Sequence, residues 1–531
     1  MERLKSNAFL LLWIILGVGA MITVWFLPWK FQVNDDVIMM WLVSGAYTGE
    51  PESYAVFIHP FLSWGFSILY TYFPNFNWYG ATWFIAIFYG YLLMLYKVST
   101  TSFSRSWQSL FALLILIIAL HFSYFLQFTL VAGFLALAGL LVFFSGSNEK
   151  SKYVIYGGAL AIVFSFLIRE EALFLVGIGY FLSELVIKGL RPLVQHSSKL
   201  LIILMMILAL FLSRTVIENQ DVYRDYSEFN KARSSVKDHP VFYQLERNSQ
   251  INTSDKWFYF SRWMFEEGEI SIADLEEKKR ELDQNFFSLE YFTGSFKRLW
   301  EILKMEMFKS MLILLLTFLT LVTGRKSKKT LRFVVIWLLF LLLFNYFFLI
   351  FGRVIMLFFL VSLGLILNHG RVSGKNILAK GITVCILAFF SFHTINFLKE
   401  ASGRKIMNRE LASIFEKVPE GTPIFMERFY ENNFIESFNW KNPVPILSYG
   451  WISRSPFQQK AFHRFGFNSL SELEEFSFIG VNIPEPLVFP NYIESLAGDF
   501  EVEIIDVSPN FTFKRYTKSW RNHKKAYSAN D

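Results

Sequence analysis

Asn34-Asp35-Asp36 places two adjacent carboxylates directly after the first long apolar run of the chain, and His59-Pro60 follows in the same polar stretch. Neighbouring carboxylates raise each other's pKa and resist leaving water, so a pair held at a membrane surface suits proton transfer with a substrate arriving there. Arg169-Glu170-Glu171 forms one junction between apolar runs, and Phe351-Gly352-Arg353 forms another. A guanidinium fork fits phosphate oxygens. An imidazole can donate to a phosphate or orient a carboxylate. A carboxylate beside a hydroxyl can take its proton as a new bond forms.

Each of these residues also has a plainer reading. Asp35-Asp36 suits the start of a helix over 37–47. His59 fits an ordinary interfacial residue before a proline. Arg353 can snorkel to headgroups. Arg169 with Glu170 or Glu171 makes a solvated turn with a local ion pair. Trp29, Trp41, Trp64, Trp78 and Tyr79 read first as interfacial anchors.

Composition says what must position these groups. Of 531 residues, 53% are hydrophobic and 18% charged, against about 25% charged in an ordinary soluble protein. The chain is therefore expected to be a polytopic α-helical membrane protein. About eleven runs suit spans of roughly 20 residues: 8–28, 80–96, 106–120, 128–144, 153–168, 172–187, 199–213, 307–323, 331–350, 354–368 and 377–397. The first is expected to be retained, since no small-residue cleavage site follows it. Cys385 is the single cysteine, so no intrachain disulfide forms.

Phe57–Phe73 is apolar but bracketed by Pro60 and Pro74. If it lies along the surface, Arg3, Lys5, Lys97, Arg105, Lys150, Lys152, Lys188, Arg191 and Lys199 all fall on one side. Arg325, Lys326, Lys328, Lys329, Arg332, Arg371, Lys375 and Lys380 join them. The short connections opposite carry only Lys30, Arg169 and Arg353. By the positive-inside rule the N-terminus is then cytoplasmic and the C-terminus outside. The net charge of +7 is thereby accounted for without nucleic acid.

The division expected is a transmembrane domain over 1–397, with an outer loop 29–79 and an outer helical loop 214–306, followed by an extracytoplasmic small α/β domain over 398–531. Ser271-Ile-Ala-Asp274 reads as a capping pattern, and 291–308 as amphipathic. Strand-like runs at 423–429, 444–448, 476–483, 501–507 and 511–516 alternate with helix-like ones at 406–418, 469–475 and 492–497. The end, 514–525, is basic. Asn252-Thr253-Ser254 and Asn510-Phe511-Thr512 match the glycosylation sequon, a pattern frequent by chance.

A first span, an acidic pair (Asp35-Asp36), a Gly-containing loop (Ser44-Gly45-Ala46-Tyr47-Thr48-Gly49) and a His-Pro step opening an interfacial helix (His59-Pro60-Phe61-Leu62) occur here in that order. This layout resembles the GT-C superfamily of membrane glycosyltransferases, and within it the protein O-mannosyltransferases and lipid A aminoarabinose transferases. Members often have a second proline where this chain has Phe61. The resemblance implies transfer of a sugar from a polyprenyl-phosphate donor to an acceptor glycan, lipid or protein on the outer face of a membrane. Asp35 or Asp36 would be the catalytic base. His59, Arg169, Glu170, Glu171 and Arg353 would bind substrate.

The leaving polyprenyl phosphate is already an anion, so it needs cations rather than a strong acid. A divalent cation bridging an acid to the phosphate is compatible, although no His or Cys spacing demands a metal. Two other classes fit a polytopic chain. A polysaccharide polymerase or ligase would more typically rely on arginines in a large outer loop. A transporter or flippase for lipid-linked sugars would want ionisable residues at mid-membrane depth. The lack of cysteine pairs and the compact length suggest a bacterial plasma membrane.

Overall fold

The computed structural model describes residues 2–144, 152–190, 194–253, 255–266, 268–324, 328–371, 376–427, 436–482 and 487–519. Lys150, Arg191, Arg325, Lys326 and Lys375, the Ser254 end of one sequon, residues 428 and 429, residue 483 and the basic end from residue 520 lie outside the described residues.

Every run expected to span forms a helix. Among the described residues, eight helices are long and apolar enough to cross a membrane. They are α1 (Glu2–Trp25), α4 (Trp78–Ser99), α5 (Arg105–Tyr124), α9 (Ser197–Glu218), α15 (Met307–Gly324), α16 (Lys328–Phe347), α17 (Gly352–His369) and α18 (Asn376–Phe415). The other three expected positions hold α6 (Phe128–Phe143), α7 (Lys152–Ile168) and α8 (Glu170–Lys188). The first two are shorter, and α8 carries Glu170, Glu171, Glu184 and Lys188. Gly139 and Gly158 let α6 and α7 pack backbone to backbone, since a Cβ on either would press into the other helix.

The run after His59 forms α3 (Pro60–Tyr72), of 13 residues. At about 1.5 Å per residue it reaches roughly 20 Å, short of the roughly 30 Å hydrocarbon core. It leaves Phe61, Trp64 and Tyr72 exposed, as an interfacial helix does.

The loop 214–306 is helical: α10 (Asp221–Lys237), α11 (Pro240–Arg247), α12 (Lys256–Ser261), α13 (Ile272–Gln284) and α14 (Leu289–Met305). Ser271 and Asp274 make a reciprocal capping box at the start of α13.

Three expectations for the tail differ from the structure, one of them the helix-like run at 469–475, which is only a 3₁₀ turn over Leu470–Glu472 before a strand begins at Glu475. The span expected to end at 397 and the separate helix expected at 406–418 are one 40-residue helix, α18. A Glu400–Arg404 ion pair one turn apart supports the join. The run 444–448 makes only an isolated bridge, Ile446 to Ile424, rather than a strand. The remaining strands are β3 (Ile424–Glu427), β4 (Glu475–Val481), β5 (Phe500–Val507) and β6 (Phe511–Lys518), in the order β3-β4-β6-β5. β3 and β4 are parallel and the other pairs antiparallel. Two further helices, α19 (Pro456–Arg464) and α20 (Phe489–Ala497), complete the domain.

Candidate active site

The acidic pair opens α2 (Asn34–Ser44). Two short strands position it: β1 (Lys30–Phe31) pairs in parallel with β2 (Phe125–Leu126), and Gln32 N–H donates to Leu126 O at 2.8 Å. The first loop is thus tied to the α5–α6 junction before α2 begins. Val33 is the N-cap and its side chain makes no capping bond, so the two acids sit in the first turn, where carboxylates favour the helix dipole.

The two carboxylates have opposite environments. Asp36 is fully buried. Tyr79 Oη donates to its Oδ1 at 2.9 Å, and the Phe128 N–H points at Oδ2 from 3.4 Å. Burial holds its carboxyl well above the usual carboxylate range, against the pull of the Tyr79 hydroxyl. Both oxygens are engaged and no solvent reaches them, which departs from the expectation of an acid open to substrate. Asp35 is partly exposed and lines a cavity of 720 Å³.

That cavity lies between the first loop, the helical loop 214–306 and the C-terminal sheet region. Asp35, Arg262, Trp263, Glu427, Tyr449 and Trp451 are among its walls. Trp263 adopts φ 66°, a strained backbone for a large side chain. Arg233 and Lys237 hold its ring at 4.9 and 5.2 Å, and Gly450, at φ 113°, packs against it. Glu427 is not free for chemistry there, because its Oε2 accepts from the Val488 and Phe489 N–H groups at the start of α20.

The C-terminal region docks on the loop after α2. Val444 N–H donates to Ala46 O at 2.8 Å. Lys460 pairs with Glu52 at 2.8 Å and Glu50 at 3.0 Å. Arg464 donates to Tyr47 O.

His59 is placed differently from expectation. It is buried at the N-cap of α3, where Nδ1 accepts from Phe61 N–H at 3.1 Å. The proton therefore sits on Nε2, which faces Leu210 O at 3.0 Å. Both ring nitrogens are occupied within the fold, and burial pushes the imidazole below its usual value. It has no nitrogen left for a phosphate or a neighbouring acid.

The arginines converge. Arg169 pairs with Glu171 at 2.8 Å and lies over the rings of Phe57 and Phe128. Burial lowers its guanidinium, and it feels the charges of Glu171, Arg214, Arg353 and Asp35. Glu170 faces Arg214 at 3.5 Å, and Arg214 also holds Glu218 at 2.7 Å. Among the described residues no ion pair includes Arg353; its guanidinium lies 5.4 Å from the Phe351 ring centre.

Arg214, Arg233 and Asp238 were not picked out from the sequence. Asp238 opens to solvent at the end of α10, yet the protein rises around it. That crowding pushes its carboxyl up, while Arg233, Lys237 and Arg353 pull it down and Asp35 adds to the rise. The only sequence signal was the one-turn spacing of Arg214 and Glu218 at the end of a span. Among the described residues no cluster of three or more His, Cys, Asp or Glu side chains could hold a metal ion.

No family model matches the chain, and no curated protein matches it. Two solved structures are similar over nearly its whole length. One is ArnT from Cupriavidus metallidurans bound to undecaprenyl phosphate, at 12% identity and a TM-score of 0.41, covering 95% of this chain and 98% of that one. The other is the same protein in the apo state, at 12% identity and 0.41, covering 95% and 97%.

Proposed function

We propose that this protein is a membrane glycosyltransferase of the GT-C type, which moves a sugar from a polyprenyl-phosphate donor to an acceptor on the outer face of a bacterial plasma membrane. The observation that carries the reading is the division of labour in the acidic pair: Asp36 is sealed inside, while Asp35 lines the large cavity and stands within the field of Arg169 and Arg233.

Asp35 takes the proton of the acceptor hydroxyl as its oxygen bonds to the anomeric carbon. The bond from that carbon to the phosphate oxygen breaks, and the electron pair leaves with the polyprenyl phosphate. Arg353, which makes no ion pair among the described residues, and Arg169 hold the departing anion. The rings of Trp263, Tyr449 and Trp451 offer faces on which a sugar can stack. An apolar groove of 540 Å³ between α5, α15 and α18, lined by Phe308, Leu312, Leu315, Ile382 and Phe389, suits an isoprenoid tail. Its upper end at Phe308 adjoins Lys309, whose partner Glu306 packs against Gly352, the residue before Arg353.

The test is donor consumption by purified protein supplied with a labelled polyprenyl-phosphate sugar and candidate acceptors. Wild type is expected to release polyprenyl phosphate and Asp35→Asn to leave the donor intact. Equal turnover by both would remove Asp35 from the chemistry. Running the assay with and without EDTA reads out whether a divalent cation assists the arginines.

A further inference from the structure

Arg262, the C-cap of α12, lines the same cavity as Asp35 and is the one cationic side chain among its described lining residues. It is partly exposed. Its guanidinium lies over Phe258, another wall residue, 4.0 Å from the ring centre. A guanidinium laid on a ring keeps the N–H donors in its own plane free. Among the described residues no ion pair includes Arg262, and its side chain makes one long hydrogen bond, Nη1 to Ser261 Oγ at 3.4 Å. A flat fork with open donors is thus held ready at a cavity of 720 Å³, ample for a sugar.

The carboxylates of the cavity are committed elsewhere. Glu246 pairs with Lys237 at 2.8 Å. Glu427 accepts from the backbone at the start of α20. The charge of Asp35 is felt by Arg169 and Arg233. The neighbouring wall then selects the sign of the ligand. The Trp263 ring beside Arg262 already has Arg233 and Lys237 against it, at 4.9 and 5.2 Å. Both cations are buried, so they cannot swing away from an incoming ammonium group, and like charges repel there more than in water. An amino sugar is disfavoured on this wall. A single planar anion is favoured, because the fork matches the two oxygens of a carboxylate. A phosphate dianion would share the cavity with Asp35, Glu246 and Glu427.

We infer that the substrate filling this cavity carries a sugar carboxylate, as a hexuronic acid residue does, and that Arg262 is the residue that selects it. The carboxylate pairs with the free edge of Arg262 while the pyranose ring lies against Trp263, Tyr449 or Trp451. This names a substrate class for the proposed glycosyltransferase and rests on that reading. The acidic sugar belongs to the donor or to the acceptor, and the test separates the two.

The test uses purified full-length protein in detergent and reads binding, not transfer. Methyl glucuronide and its uncharged methyl ester are titrated by saturation-transfer NMR against wild type, Arg262→Gln, Arg262→Lys and Lys256→Gln. Lys256 lies on α12 but does not line the cavity, so its variant controls for the loss of one positive charge. Melting curves check that each variant is folded. Wild type and Lys256→Gln are expected to bind the acid about tenfold more tightly than the ester, and Arg262→Gln to bind the two alike. Arg262→Lys, which keeps the charge without the fork, should retain part of the preference. Glucuronide that still binds beside decaprenyl-phosphate glucose assigns the carboxylate to the acceptor. Glucuronide displaced by decaprenyl-phosphate glucuronate, itself bound more tightly than the glucose donor, assigns it to the transferred sugar. Equal binding of acid and ester, no binding of either, or a preference that survives in Arg262→Gln would overturn the inference. An acid preference that depends on Arg262, in a protein that binds neither lipid-linked donor, would support this site and contradict the glycosyltransferase reading.

Discussion

The Tyr79 hydroxyl donates to Asp36 at 2.9 Å, across the junction between α4 and the first turn of α2. That bond, inside a fully buried setting, turns one member of an acidic pair into a structural group. Its neighbour Asp35 is left as the carboxylate that meets the cavity.

The pH dependence of stability follows from Asp36. Its native pKa is raised well above the usual value by burial. Below about pH 4 the carboxyl is neutral in both folded and unfolded chains. Above that, the unfolded chain ionises while the native one does not, so stability falls with rising pH until the native pKa is passed. Asp36→Asn removes this slope. Melting in detergent from pH 4 to 8 should show wild type losing stability relative to Asp36→Asn; parallel curves would assign Asp36 an ordinary pKa.

Arg353 makes no ion pair among the described residues, although Asp238 feels its charge. Arg353→Ala is therefore expected to leave the melting temperature unchanged and to lower kcat/KM for the lipid-linked donor. Charge-assisted bonds to phosphate suggest about 1.5–3 kcal/mol, roughly ten- to hundredfold. A large loss of thermal stability with unchanged kcat/KM would mean that the guanidinium serves the fold.

A Cβ on Gly352 would run into the Glu306 carboxylate. Glu306 is fixed there by its ion pair with Lys309 at 2.7 Å, and Lys309 is only 4% exposed. Gly352→Ala should destabilise the protein by about 1–3 kcal/mol. Glu306→Asp, one methylene shorter, should recover part of that loss in the double variant. Additive losses would show that the two positions do not press on each other.

The tail is expected outside the cytoplasm, with the cavity. A fluorescent reporter that matures only in the cytoplasm, fused after Asp531, should be dark in intact cells. A bright signal would place the C-terminal domain, and with it the wall formed by Tyr449 and Trp451, on the inner side.

Much of the architecture was legible from apolar run lengths, because a membrane span is a length requirement before it is a packing one. The capping box at Ser271 was legible because its two partners are three residues apart. What the sequence hid is long-range. Asp35 and Asp36 are chemically identical as letters, and they are separated only by Tyr79 and Phe128 arriving from other helices. His59 looked like a ligand because its second partner, Leu210 O, is far along the chain. Arg233 and Asp238 sit in an ordinary charged helix until the fold turns that helix toward Asp35.

The most direct measurement compares sugar transfer from a polyprenyl-phosphate donor by Asp35→Asn and Asp36→Asn under identical conditions. Loss of a general base predicts a fall of about 10²–10⁴-fold for Asp35→Asn. Asp36→Asn, which replaces a buried neutral acid by a neutral amide, should stay within about tenfold of wild type. Full activity in Asp35→Asn, or a collapse confined to Asp36→Asn in a folded protein, would contradict the account.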